Sequence, residues 1–202
     1  MHRFFDRPDT RWRSLHGALH FYVLPPAEGS LLATHDRVAR ALHVHPGLAV
    51  QPAEYVHMTL QRLDGYRPEI DDDTWAVADR RISEAVSRTP QFCVEYAAPR
   101  PNGHAVEAIG SPNPQWQRLV EAIRSAVTAS GLGGMLTPAP YGPHYTSAYC
   151  VADTDDAAVV DSLRGVGHPT DLVVDDVALV AVDQFPDEGV FTFEVLRTWS
   201  LP

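Results

Sequence analysis

Two tetrapeptides carry residue types able to move protons around a phosphate: His57-Met58-Thr59-Leu60 and His144-Tyr145-Thr146-Ser147. Subtracting 57 from 144 puts them 87 residues apart. Imidazole exchanges a proton near neutrality, with an ordinary pKa of about 6.5, and a threonine hydroxyl donates a hydrogen bond. In a β-strand, residues i and i+2 point to the same face, so His57 projects with Thr59 and His144 with Thr146. Two such pairs facing one cleft supply a base, an acid and two hydroxyl donors. That set suits in-line attack at phosphorus without a metal.

Ten His, ten Ser and twelve Thr in 202 residues make about one His-x-Ser/Thr match expected by chance, so a single match is a weak motif. Three occur. The third, His168-Pro169-Thr170, has proline at its centre and reads as a loop. In the first, Val56, Met58 and Leu60 alternate with His57 and Thr59, the pattern of a strand with one buried face. Pro143 and a run of strand-forming residues frame the second. Taken singly, each histidine would be a half-buried, hydrogen-bonded side chain with no chemistry; the pairing sets these two apart.

Other histidines lack such partners. His43-Val44-His45 has a metal-like spacing and His35-Asp36 the look of a metal-dependent phosphohydrolase dyad, but neither has carboxylates at a recognisable interval. His20, near Tyr22 on the first strand, reads as a structural histidine; His104 and His168 have no supporting context. No metal and no cofactor is expected. All sixteen basic residues are arginine. No lysine is present to carry an adenylate, form a Schiff base or complete a Walker A loop, which excludes an enzyme-adenylate ligase.

The formal charge of −10 argues against a duplex nucleic-acid binder and leaves room for a nucleotide or a short RNA end on local arginines. Apolar residues at 45% allow a full core. No apolar run is long enough to span a bilayer and the first residues lack a secretory h-region, so a cytoplasmic protein is expected. Cys93 and Cys150 read as buried thiols rather than a disulfide.

Positioning the two motifs requires particular elements. Residues 1–14 form an arm carrying Arg3, Arg7, Arg11 and Arg13, expected to be solvated or frayed. From 15 to 202 a single domain is expected. Strands are predicted over 15–24, 54–63 and 91–96, with helices over 31–43 and from Asp71 to about Arg88. The order then recurs: a strand over 104–109, a helix from Pro112–Pro114 to Gly131, the second motif strand, a helix over 154–163, and strands over 172–182 and 190–201 joined at Pro186–Gly189. Each half reads strand, helix, His-x-Thr strand, helix, strand. The expectation is a bilobal α+β fold, two pseudo-symmetric lobes with antiparallel sheets flanked by helices and an active groove between them.

The paired HMTL and HYTS motifs, the second preceded by Pro140-Tyr141-Gly142-Pro143, resemble those of the two-histidine phosphoesterases. That superfamily includes RNA 2′,3′-cyclic phosphodiesterases and the proteins called 2′-5′ RNA ligases. The resemblance runs over residues 15 to 200 in motif order and spacing. It implies metal-free chemistry on cyclic phosphates or 2′-5′ linkages, with His57 and His144 catalytic and Thr59 and Thr146 holding the phosphate. One imidazole takes a proton from water, the other gives one to the departing sugar oxygen; the sequence leaves open which does which. Ser147 stands where the family has an apolar residue and points away from the groove by strand alternation. Gln61 continues the His57–Thr59 face and is a candidate ligand contact; Tyr141 is a candidate for stacking on a base. The expected protein is a monomeric hydrolase of cyclic-phosphate or 2′-5′ ends of nucleotides or short RNA, working in RNA processing and able to run in reverse as a ligase. The alternatives are a small-molecule cyclic nucleotide phosphodiesterase and a non-catalytic nucleotide- or RNA-end-binding module.

Overall fold

The computed structural model describes residues 1–202. The first half of the chain supplies β1 (Ala18–Val23), α1 (Ser30–Leu42), β2 (Leu48–Val50), β3 (Met58–Tyr66), α2 (Asp72–Val86) and β4 (Phe92–Tyr96). The short β5 (Arg100–Pro101) leads into β6 (Ala105–Ile109), α3 (Pro114–Val127), β7 (His144–Cys150), α4 (Asp156–Leu163) and β8 (Thr170–Val174). The long hairpin of β9 (Asp176–Phe185) and β10 (Val190–Ser200) closes the chain.

Local chemistry explains the helices. Asp71 caps α2 by accepting from the Thr74 amide at 2.8 Å, and Asn113 caps α3 through the Gln115 and Trp116 amides. Pro114 occupies the first turn of α3, where its missing N–H costs nothing. Gly131, at φ +83°, ends the helix extension in a left-handed conformation that a side chain would strain. α2 buries Ala78, Ile82 and Val86, and α3 buries Trp116, Leu119, Val120, Ile123 and Val127, each a stripe at helical spacing.

One eight-stranded sheet runs β10-β9-β1-β3-β7-β6-β5, with β2 added against β7, and a two-stranded sheet pairs β4 with β8. All pairings are antiparallel. The expected α+β fold of two related lobes is the observed one: β1-α1-β3-α2-β4 matches β6-α3-β7-α4-β8 in order. The lobes interlock, since α2 packs on α3, α1 packs near α4, and β4 pairs with β8. Where the two halves meet in the large sheet, β3 and β7 share one register pair, Met58 opposite Tyr145. The α2 and α3 faces and that seam share the main core, which includes Met58, Leu60, Tyr145 and Trp116. A smaller core under α1 and α4 holds Val38, Leu42, Val159 and Cys150.

Several expectations need correction. The 172–182 strand is two strands, β8 and β9, in different sheets; they break at Asp175, where continuous apolar alternation hides the turn. Glu54 lies in a 3-10 turn, Ala53–Tyr55, so His57 stands one residue before β3 rather than inside it. Cys93 is exposed on β4, and only Cys150 is buried. The N-terminal arm is packed, not frayed: Phe5 and Thr10 are buried, and Phe4 packs on Tyr149 with centroids 4.5 Å apart. No helix is long and apolar enough to cross a membrane.

Candidate active site

The Met58–Tyr145 pair fixes the geometry of the site. Stepping one residue either way along an antiparallel pair sets His57 beside Thr146 and Thr59 beside His144. All four line one cavity of about 890 Å³. The two His-x-Thr pairs thus meet head to tail across the seam of the duplicated halves.

Both imidazoles are held alike. His57 Nδ1 lies 2.8 Å from the Tyr55 carbonyl and His144 Nδ1 2.9 Å from the Gly142 carbonyl, each an oxygen two residues upstream. A carbonyl only accepts, so each Nδ1 carries the proton and each Nε2 is left for chemistry. Each ring also lies on a tyrosine: His57 on Tyr22 with centroids 4.0 Å apart and planes 11° apart, His144 on Tyr141 at 4.4 Å and 15°. Phe193 meets the His57 ring edge-on at 5.8 Å.

The surroundings then differ. Burial pushes the His57 pKa down to about 4, against the carbonyl hydrogen bond that favours the cation; the nearby His144 adds to the depression. Near neutrality His57 is a neutral imidazole with a free Nε2 lone pair, the state a general base needs. On the second side stands a carboxylate. Glu107 Oε2 accepts from the Tyr141 hydroxyl at 2.9 Å, Oε1 lies 3.4 Å from the Thr146 hydroxyl, and Asn102 also donates to Oε2.

A β-bulge on each motif strand decides which further side chains reach the cavity. Tyr22 faces Thr59 but Phe21 faces Gln61, so Leu60 is an extra residue on β3. Glu107 faces Thr146 but Val106 faces Ala148, so Ser147 is the extra residue on β7. Each bulge resets the alternation. Arg62 and Tyr149 therefore continue the histidine faces and line the cavity. Tyr22 and Glu107 occupy equivalent places in the two halves, one aromatic and one acidic.

This corrects the reading of Gln61. It is fully buried and lies off the cavity. Its amide donates to the Arg62 carbonyl and to Thr137, and its oxygen accepts from Arg124, so it ties the loop before β7 to β3. Tyr141 is at the cavity rim and 69% exposed. Ser147 is fully buried with its hydroxyl unpartnered, pointing away from the groove. His20 lines the cavity, Nδ1 2.8 Å from the Tyr22 hydroxyl, and burial holds its pKa well below the ordinary value.

Two further histidines are held by local contacts, and His104 also lines the cavity. His35 is buried with Nε2 2.9 Å from the Gln51 carbonyl, and His45 bonds the Ser162 hydroxyl. No group of three or more His, Cys, Asp or Glu side chains converges as metal ligands would. Tyr22, Phe193, Glu107, Arg62, Tyr149 and the arm were not identified from sequence. Strand register and tertiary packing bring them in. The Arg62 signal was five residues beyond His57, masked by the bulge.

The α+β fold, with its two related halves meeting at the Met58–Tyr145 seam, is similar to that of several solved structures. TT0787 of Thermus thermophilus superposes with a TM-score of 0.65 at 19% identity, over 91% of this chain and 97% of that one. LigT of E. coli, in complex with 3′-AMP, superposes at 0.59 and 20% identity, over 92% and 98%. A protein described as a phosphoesterase gives 0.58 and 19%, over 92% and 98%. No family model matches the sequence and no curated protein does.

Proposed function

We propose that the protein is a metal-independent phosphoesterase that opens 2′,3′-cyclic phosphates or cleaves 2′-5′ phosphodiester ends of nucleotides or short RNA. The observation that carries this is the meeting of two His-x-Thr pairs on one cavity at the Met58–Tyr145 seam. The binding of 3′-AMP, ATP and NADP+ by LigT, which shares the fold, supports a nucleotide ligand.

In this reading His57 is the general base. Burial keeps it neutral, so its Nε2 takes a proton from water as the oxygen attacks phosphorus in line. His144 gives a proton from its own Nε2 to the departing ribose oxygen, and one P–O bond forms as the other breaks. Thr59 and Thr146 donate to the non-bridging oxygens, where negative charge accumulates. Thr146 now rests against Glu107 and turns to the phosphate on binding. Tyr141 offers an exposed edge for a base. A ribose hydroxyl in place of water takes the same steps: His57 accepts its proton as its oxygen bonds to the cyclic phosphorus, His144 protonates the ribose oxygen whose P–O bond breaks, and a phosphodiester forms, which is ligation.

The test is turnover, in excess chelator, of 2′,3′-cyclic nucleotides and of an oligonucleotide with a cyclic-phosphate end. Wild type should yield phosphomonoester from at least one, and His57→Ala and His144→Ala should each lose about 10²–10⁴ in rate. Folded protein inert on both, or activity abolished by chelator, would overturn the reading.

A further inference from the structure

One buried charge in the cavity takes no part in the proton transfers. Glu107, on β6, is 5% exposed and lines the cavity beside the second motif. Its hydrogen-bond partners are all neutral. Oε2 accepts from the Tyr141 hydroxyl at 2.9 Å and from the Asn102 side-chain amide, and Oε1 lies 3.4 Å from the Thr146 hydroxyl. Burial and the Glu107 charge together raise the Tyr141 pKa, so that phenol stays a donor. Arg7, the cation near Tyr141 and Tyr149, is held by the Asp9 carboxylate through two hydrogen bonds of 3.1 and 2.8 Å. His104 and His144 line the same cavity with Nδ1 turned to the His2 and Gly142 carbonyls.

The fold does not require a charge at this place. Tyr22 holds the equivalent position in the first half, where its neutral ring lies on His57. A carboxylate buried among neutral donors carries a desolvation penalty that those donors only partly offset. Thr146 connects this charge to the chemistry, because the hydroxyl that touches Oε1 is the one that donates to a bound phosphate. A phosphate oxygen at ordinary hydrogen-bond distance from Thr146 stands within about 6 Å of Oε1. At that range, in a cavity of low dielectric, every negative charge on the phosphate is repelled. A phosphodiester carries one such charge. A phosphomonoester carries close to two above its second pKa of about 6.

We propose that Glu107 is the residue by which the site tells a phosphodiester from a phosphomonoester: its carboxylate admits the singly charged diester and expels the doubly charged monoester that hydrolysis leaves. The proposal rests on the function proposed above and names the charge state of its substrate. Thr146 lets go of Oε1 to hold the diester and returns to Oε1 as the monoester departs. Cyclic phosphates and 2′-5′ linkages are thereby admitted, and terminal phosphates on nucleotides or RNA ends are poor ligands for the site between the histidines.

Calorimetry on the full chain tests this with a matched pair of probes, 2′-deoxyadenosine 3′-phosphate and its methyl ester. They differ by one methyl group and, at about pH 8, by one charge; neither has a 2′-hydroxyl, so neither can cyclise. At about pH 8 wild type should bind the ester about tenfold tighter than the monoester, the effect of one extra charge at about 6 Å, weakened by the donors on Glu107 and by salt. At about pH 5 both probes carry about one charge, and the preference should fall to near one. In Glu107→Gln, which keeps the shape of the side chain, the monoester should gain about tenfold on the ester at about pH 8 and nothing at about pH 5. If that variant fails to fold, the wild-type pH dependence decides, because a site without an opposing carboxylate binds the dianion more tightly and its preference runs the other way. An equal change for both probes in the variant, a wild type that prefers the monoester at the higher pH, or a preference that persists at the lower one overturns the proposal. Folded wild type that binds neither probe also overturns it, while turnover of a cyclic nucleotide still decides the function. If the preference is present and depends on Glu107 but the histidine variants keep full turnover, the catalytic reading falls and the discrimination stands.

Discussion

Phe193→Ala should move the acid limb of the pH–rate profile upward. Phe193 closes one edge of the His57 ring at 5.8 Å while Tyr22 covers a face at 4.0 Å, and burial is the main reason the imidazole sits at about 4 rather than 6.5. Removing the phenyl ring admits water and returns His57 part of the way to its ordinary value. At pH 5, a pKa of about 4 leaves about nine-tenths of His57 as free base; a pKa of about 6 leaves about one-tenth. The kcat/KM at pH 5, divided by that at about pH 7.5, should therefore fall by up to about tenfold in the variant. Taking the ratio cancels any pH-independent loss from the missing ring. The assay is initial-rate hydrolysis of a 2′,3′-cyclic nucleotide from about pH 4 to 8, with an NMR titration of the His57 ring proton beside it. Folding energetics carry the same sign. The unfolded chain takes up a proton on this histidine near pH 6.5 and the native chain only near 4, so stability falls as pH drops through that window. The full gap is worth about 3 kcal/mol as a ceiling, and Phe193→Ala should shrink it. A wild-type His57 that titrates near 6.5, or an acid limb that does not move in the variant, would refute the assignment of His57 as a half-buried neutral base.

Other outcomes follow from the same geometry. Thr59→Ala and Thr146→Ala should each lower kcat on a cyclic nucleotide by about 10²–10³ with little change in melting temperature, as for loss of one oxyanion donor. Gln61→Ala should cost about 1–3 kcal/mol in denaturant unfolding by stranding Arg124 and Thr137; a large kcat loss without a stability loss would return Gln61 to the site. Ser147→Ala should be neutral or stabilising by about 1 kcal/mol, because its fully buried hydroxyl has no partner. Gly110→Ala should be destabilising and impair turnover: a Cβ there would meet Pro143 Cγ at 2.8 Å, beside His144, and shift the start of β7. Normal stability and turnover would show that Pro143 yields freely.

The legible part of the site is what depends on a period of two. His57 with Thr59 and His144 with Thr146 share faces because nothing interrupts the strand between them, and the recurrence of strand, helix, motif strand is readable as a duplication. The first failure comes at the bulge. Leu60 is as apolar as an ordinary core residue, so the sequence carries no mark that the face changes hands from Gln61 to Arg62. The opposition of Tyr22 and Glu107 lies in strand register, which apolar alternation leaves open. The arm was unreadable for a different reason: Arg7, Phe4 and Trp12 gain their places from Tyr149, Phe191 and His20, side chains brought there by tertiary packing. The break at Asp175 is hidden because apolar residues alternate on both sides of it. The depression of His57 comes from rings on β1 and β10, far away in sequence.

The central claim is that His57 and His144 act as one acid–base pair on a single phosphate. The most direct measurement is kcat/KM of the His57→Ala/His144→Ala double variant against the two single variants, in chelator, on the best cyclic nucleotide. A pair acting as a unit predicts that the double variant is about as impaired as the worse single one, because the second proton transfer has little to assist once the first is gone. Losses that multiply would mean two histidines working independently and would contradict the account.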